Sequence, residues 1–92
     1  MIRVELPKAL NCYVEGKSFV EVQESCATVR DALAEVAKRS PGVTDRVMEE
    51  TGAVRQHVNV FVDGENIRFL SGLDTPLQAD SSIMILSAIS GG

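Results

Sequence analysis

Thr28-Val29-Arg30-Asp31-Ala32-Leu33-Ala34-Glu35-Val36-Ala37-Lys38-Arg39 is the stretch on which the reading of this chain turns. Val29, Ala32, Leu33, Val36 and Ala37 fall at i, i+3, i+4, i+7 and i+8, a continuous apolar stripe along one face of a helix. Thr28 offers a side-chain oxygen to the unpaired N–H groups of the first turn, and Asp31 makes a short-armed version of the capping box. Lys38 and Arg39 lie at the negative end of the helix dipole. Ser40-Pro41-Gly42 reads as the stop.

On both sides of this helix the apolar period is two. Ile2, Val4 and Leu6 alternate with Arg3 and Glu5 as a half-buried first strand, which Pro7 ends. A loop with Gly16-Lys17 leads to a second alternating segment, Ser18-Phe19-Val20-Glu21-Val22-Gln23, and an antiparallel hairpin is the simplest pairing. Beyond the helix, Val43, Val47 and Met48 predict a turn or two of a lesser helix ending before Gly52. Val58-Asn59-Val60-Phe61-Val62 is strongly β-forming, Asp63-Gly64 is a hairpin turn, and Asn66-Ile67-Arg68-Phe69 returns as a short strand. Leu70 to Gln78 reads as a loop or a single helical turn. Ser82 to Ile89 is a final strand, and its run Ile83-Met84-Ile85-Leu86 suits the middle of a sheet.

The resulting order, β-β-α-(short α)-β-β-β, is an α+β fold of the β-grasp type. It has a mixed sheet of about five strands under one main helix, with the first and last strands adjacent and parallel at the centre. The competing reading is another small α+β roll. Residues 1–89 form the domain, and residues 90–92 form a flexible Gly-Gly tail.

A chain of 92 residues buries roughly 60–65% of its unfolded surface, enough for one core and no cleft between lobes. This points to a binding, carrier or adaptor module rather than an enzyme. The net charge of −4 and the lack of any Lys/Arg run argue against nucleic acid and against an anionic membrane, and suit a basic partner surface. The alternating N-terminus lacks the apolar core of a signal peptide, and no apolar run has bilayer-spanning length, so a cytoplasmic protein is expected. Cys12 and Cys26 are too few for an iron–sulfur cluster or a four-thiolate zinc site, and read as reduced thiols, at least one partly buried.

The chain ends Ser90-Gly91-Gly92. Two glycines without β-carbons can carry a carboxylate through a channel too narrow for side chains. Average composition alone produces such an ending in about one chain in 200, so its weight rests on the domain ahead of it. Ile89 and Ser90 are where the arm leaves that domain.

Alternation also defines a face. If Val58, Val60 and Val62 point at the helix, Asn59 and Phe61 point away; if Ile83 and Ile85 are buried, Met84 and Leu86 join Phe61. A contiguous Phe61–Met84–Leu86 cluster is a candidate partner-binding surface. The alternative is that a loop or a second copy covers it. His57, with no Cys or Ser placed to form a dyad, reads as a surface residue at the start of a strand. Asp63-Gly64 reads as a turn and not a metal site, and Glu49-Glu50 as solvated charge.

Four stretches together resemble a known family: Pro41-Gly42-Val43-Thr44-Asp45-Arg46-Val47-Met48, Val58 through Phe69, Gly72-Leu73-Asp74-Thr75, and Ile83 through Gly92. In this order, ahead of Gly-Gly, they resemble the ubiquitin-like sulfur carriers. These include the thiamine carrier, the small subunit of molybdopterin synthase, and the carrier of thiocarboxylate-dependent cysteine synthesis. The last is the nearest match. Thiamine carriers are usually shorter, and molybdopterin subunits tend to have aromatic residues and prolines where this chain has Ile85-Leu86-Ser87-Ala88.

The resemblance implies that an E1-like enzyme uses ATP to adenylate the Gly92 carboxylate, with no cofactor or metal bound to the carrier itself. Sulfide or a persulfide then displaces AMP and leaves a thiocarboxylate. A cysteine synthase-like, sulfur-accepting enzyme would consume it, and a metalloprotease would release the product. Gly92 is then the reacting residue, and Gly91 keeps the tail narrow. Molybdopterin or other sulfur-metabolite synthesis stays open as the destination. So do a ubiquitin-like modifier joined to lysines, and a plain interaction domain whose glycines are incidental.

Overall fold

The computed structural model describes residues 1–87. The alternating segments become β1 (Ile2–Glu5), β2 (Phe19–Val22), β3 (Val58–Val62), β4 (Glu65–Asn66) and β5 (Ser82–Ser87), and the helical ones become α1 (Val29–Arg39) and α2 (Pro41–Val47). They form one mixed sheet in the order β2-β1-β5-β3-β4. β1 and β2 are antiparallel, with Val4 opposite Val20. β5 lies parallel to β1, with Val4 opposite Ile83, and antiparallel to β3, with Val60 opposite Ile85. The first and last strands therefore meet at the centre, as the β-grasp reading requires.

β5 is flanked on both edges, and the core covers its two inward isoleucines. Ile83 and Ile85 are both 0% exposed and pack with Val4, Val22, Val36, Val43 and Val60. Burying one such side chain stabilises by about 1.5–3 kcal/mol. α1 closes the core with Val29, Ala32, Leu33 and Val36, the stripe read from the sequence. Its cap forms as expected: the Asp31 amide donates to Thr28 Oγ1 at 3.3 Å. The Asp31 carboxylate in turn accepts from the Ala27 amide at 3.3 Å. At the other end Arg39 reaches over to the sheet edge, donating to the Glu21 carbonyl at 2.7 Å and to Glu24 at 2.9 Å.

Three local features differ from the sequence expectation. The segment read as a loop after Pro7 is a 3-10 helix, Lys8–Val14, which buries Leu10 and Val14 and ends in Glu15 with a left-handed backbone. Ser40-Pro41-Gly42 does stop α1, but Pro41 also opens α2. A first-turn proline lacks only an N–H that would have no helical partner, so one tripeptide serves both ends. The return strand expected over Asn66 to Phe69 is only Glu65–Asn66. There the Asn66 side chain accepts from the Arg68 amide at 2.9 Å and turns the chain into a 3-10 helix, Ile67–Phe69.

The Asp63-Gly64 turn has both residues at positive φ, 49° and 91°, as the favoured two-residue hairpin turn demands. β5 is described to Ser87; Ala88 and Ile89 of the expected strand, and residues 90–92, lie outside the described residues. Among the described residues no helix is long and apolar enough to cross a membrane.

Candidate functional site

Pleating sends alternate side chains of β3 and β5 to the side away from the helices. Phe61 stands opposite Met84, and Asn59 opposite Leu86. Met84 is 38% exposed and Leu86 44%, while Phe61 is half-buried between its neighbours. With Gly64 and Ser82 they line a shallow hollow of about 260 Å³. Phe61, Met84 and Leu86 are thus brought together as alternation predicts. Ile89, Ser90, Gly91 and Gly92, also read as site residues, lie outside the described residues.

The polar groups around this apolar centre bind one another. The Arg3 guanidinium lies over the Phe19 ring, 4.1 Å from its centroid. Ser82 Oγ donates to the Glu5 carboxylate at 3.4 Å, and Asn66 Nδ2 donates to Asn59 Oδ1 at 3.2 Å. A partner that covers this face gains by excluding water from Met84, Leu86 and Phe61 and leaves those polar pairs intact. The described residues of this face offer apolar contact.

The helix side of the sheet, at the Ser87 end of β5 and away from the Gly64 turn, is different. Ser87, Tyr13, Asp45, Arg46, Arg55 and His57 line a cleft of about 460 Å³. Tyr13 comes from the 3-10 helix and rests against Gly42 at the start of α2. A β-carbon at Gly42 would lie 2.8 Å from Tyr13 Cε1 and closer still to Cδ1, so only glycine lets the ring sit there. Arg46 Nε donates to the Tyr13 hydroxyl at 3.1 Å. Arg55 donates from Nε and Nη2 to the Asp45 carbonyl, at 3.3 and 3.0 Å. His57 is exposed at the start of β3, as expected, but it is not isolated: it shares the cleft with both arginines. Tyr13, Arg46 and Arg55 come from three separate stretches, and no local sequence signal joins them.

The thiols are free, Cys12 exposed and Cys26 half-buried. Burial, followed by the charges of Glu35, Asp31 and Glu24, pushes the Cys26 thiol up, the opposite of what an activated nucleophile needs. Among the described residues no group of three or more His, Cys, Asp or Glu is placed to hold a metal ion.

Comparison with known proteins identifies relatives along the whole chain. The ThiS family matches residues 4–92. The sulfur carrier protein CysO of Mycobacterium tuberculosis is 28% identical over 93 residues, covering 99% of this chain and 98% of that protein. Small archaeal modifier protein 3 of Haloferax volcanii is 32% identical over 79 residues, 86% of this chain and 85% of its own length. A chain in the crystal structure of the Amycolatopsis orientalis BexX/CysO complex superposes with a TM-score of 0.90 at 29% identity, over 100% of both chains.

Proposed function

The chain belongs to the ThiS family, and on that premise we propose that it carries sulfur as a thiocarboxylate on Gly92. The observation that carries this reading is the position of β5. The strand that leads covalently to Gly91-Gly92 is the one locked between β1 and β3. A reacting terminus presented by the most buried strand of a sheet starts from a fixed point, so a partner enzyme can place it by docking on the body.

In the proposed chemistry the Gly92 carboxylate attacks the α-phosphorus of ATP on an E1-like enzyme and releases pyrophosphate. A carboxylate resists nucleophiles, whereas its mixed anhydride with AMP has a good leaving group. Sulfide displaces AMP and leaves the thiocarboxylate directly; a persulfide sulfur displaces AMP to give an acyl disulfide, which a second thiol cleaves to the thiocarboxylate and a disulfide. The thiocarboxylate then serves a sulfur-accepting synthase. Similarity to the sulfur carrier protein CysO supports sulfur carriage; in this reading the acceptor is a cysteine synthase-like enzyme and a metalloprotease frees the product. The carrier contributes docking surface and reach, while acid, base and metal chemistry belong to its partners. Gly91 has the narrow backbone that a tight channel requires.

Intact-mass measurement of the protein from its native cell tests this. One oxygen replaced by one sulfur at the terminus is expected, and its loss in Gly91→Val, with folding unchanged, should follow. Normal loading of Gly91→Val would refute the channel argument. The likeness to a small archaeal modifier protein favours a second reading, isopeptide linkage of Gly92 to target lysines. Lysine-linked adducts of higher mass, without the sulfur form, would decide for it.

A further inference from the structure

We propose that the Arg46–Arg55 cleft is a socket for an Asp or Glu side chain of the enzyme that adenylates the tail, a second docking point opposite the apolar face. This rests on the sulfur-carrier reading and extends it to a surface on the other side of the sheet.

The first ground is charge. The chain as a whole carries −4, so most of its surface repels a partner's carboxylates. The cleft is an exception: two guanidiniums face one carboxylate, Asp45, with His57 and the Tyr13 hydroxyl beside them. Of the other four arginines two are ion-paired, and two have only neutral partners among the described residues, as Arg46 and Arg55 do. Arg30 pairs with Asp74 and Arg39 with Glu24, Arg3 covers Phe19, and Arg68 donates to the Gln56 and Val58 carbonyls. Among the described residues neither Arg46 nor Arg55 has a carboxylate within ion-pair distance. Arg46 uses Nε on Tyr13, and Arg55 uses Nε and Nη2 on the Asp45 carbonyl. The remaining guanidinium N–H groups are the fork that a carboxylate accepts in two parallel hydrogen bonds.

The second ground is construction. Arg46 donates to Tyr13, whose ring packs against Gly42 in the space a β-carbon would fill. Arg55 is held by two bonds to one carbonyl. A guanidinium already fixed in place loses less freedom on binding than one on a free side chain.

The third ground is position. Ser87 is both a wall of the cleft and the last residue of β5. The five residues 88–92 that follow span at most about 17 Å in any conformation. An enzyme that takes Gly92 into its active site must therefore approach closely around this end of the sheet. On one side it meets Leu86, with Met84 and Phe61 further along the strands, and on the other Arg46 and Arg55. Apolar burial on one side supplies affinity, and a charged contact on the other fixes orientation and speeds encounter.

The test is carrier-dependent pyrophosphate release by the cognate adenylating enzyme, at low and at physiological salt. Wild type, Arg46→Gln, Arg55→Gln and the double variant are compared. The double variant should raise KM for the carrier by about tenfold, leave kcat within about twofold, and flatten the salt dependence of KM. An unchanged KM with normal wild-type turnover overturns the socket and leaves the sulfur-carrier reading standing. No turnover of the wild type overturns both. If a Gln variant unfolds, Arg46→Lys with Arg55→Lys decides, since it keeps charge and loses the fork: an intermediate KM supports the socket, and a wild-type KM overturns it. Amide shifts of Arg46 and Arg55 on titration with inorganic phosphate, without any KM effect in the variants, would assign the cleft to a free anion instead.

Discussion

Gly42→Ala sets two effects against each other, and the structure says which wins. Gly42 is helical, in the first turn of α2, and its φ is not in the left-handed region. On propensity alone alanine there should stabilise, by at most about 1 kcal/mol. Against this, the new β-carbon meets the Tyr13 ring at 2.8 Å from Cε1, with Cδ1 nearer. Inserting a methyl into a filled contact costs about 1–3 kcal/mol. Tyr13 is 37% exposed, so the ring has room to swing outward and the cost falls in the lower half of that range. The net expectation is a loss of about 1 kcal/mol, which for a domain this size lowers Tm by about 4–8 °C.

The diagnostic arm is the Tyr13→Ala background. With the ring gone, Gly42→Ala should turn stabilising by about 0.5–1 kcal/mol, so the two sites couple by more than 1 kcal/mol in a double-mutant cycle. Urea unfolding followed by circular dichroism gives the energies. Tyr13 is the only tyrosine and there is no tryptophan, so intrinsic fluorescence reports directly whether the ring has moved. Two results would refute the reasoning: stabilisation by Gly42→Ala with Tyr13 in place, or additivity within about 0.3 kcal/mol.

Three further outcomes are expected. Thr28→Ala removes the oxygen that caps α1 and should cost about 1 kcal/mol in urea unfolding, with the slope of the transition unchanged. Leu86→Asp places a charge on a side chain that is already 44% exposed; Tm should stay within a few degrees while KM for the carrier in adenylation rises by about tenfold or more. The Cys26 thiol is pushed up in the folded protein, first by burial and then by Glu35, Asp31 and Glu24. Its contribution to stability is therefore present below the ordinary thiol range and lost as pH rises through the folded value. Cys26→Ser should flatten that alkaline decline, as read by thermal unfolding across pH.

Where burial alone sets the pattern, the chain could be read directly. Period two in β3 and β5 and the wide stripe on α1 gave the strands, the helix and the Phe61–Met84–Leu86 face, because one face of each element must pack. The misread segments are those where a single local contact decides. Asn66 turns the chain by capping Arg68 with its own side chain, which a β-forming run of Ile67 and Phe69 does not reveal. Leu10 and Val14 have helical spacing, but the seven residues of Lys8–Val14 are too few for the period to stand out. The cleft was illegible for another reason. Arg46, Arg55 and Tyr13 meet only because α2, the turn before β3 and the first 3-10 helix pack around one end of β5. The Gly-Gly ending was plain to see, and the role proposed for it rests on family membership and not on the described residues.

The parallel pairing of β1 with β5 has a consequence for how the protein is made. The strand at the middle of the sheet is the last of the described strands to be synthesised, so β1 waits for a neighbour some eighty residues away in sequence. Hairpin β1–β2 and helix α1 can form early, but the hydrophobic layer they share with Ile83 and Ile85 stays open until the ribosome has passed β5. A chain cut short before Ser82 lacks that strand and cannot close its core. The fold thereby inspects its own completeness: a chain with a finished sheet has been translated at least as far as the strand that leads to the glycines.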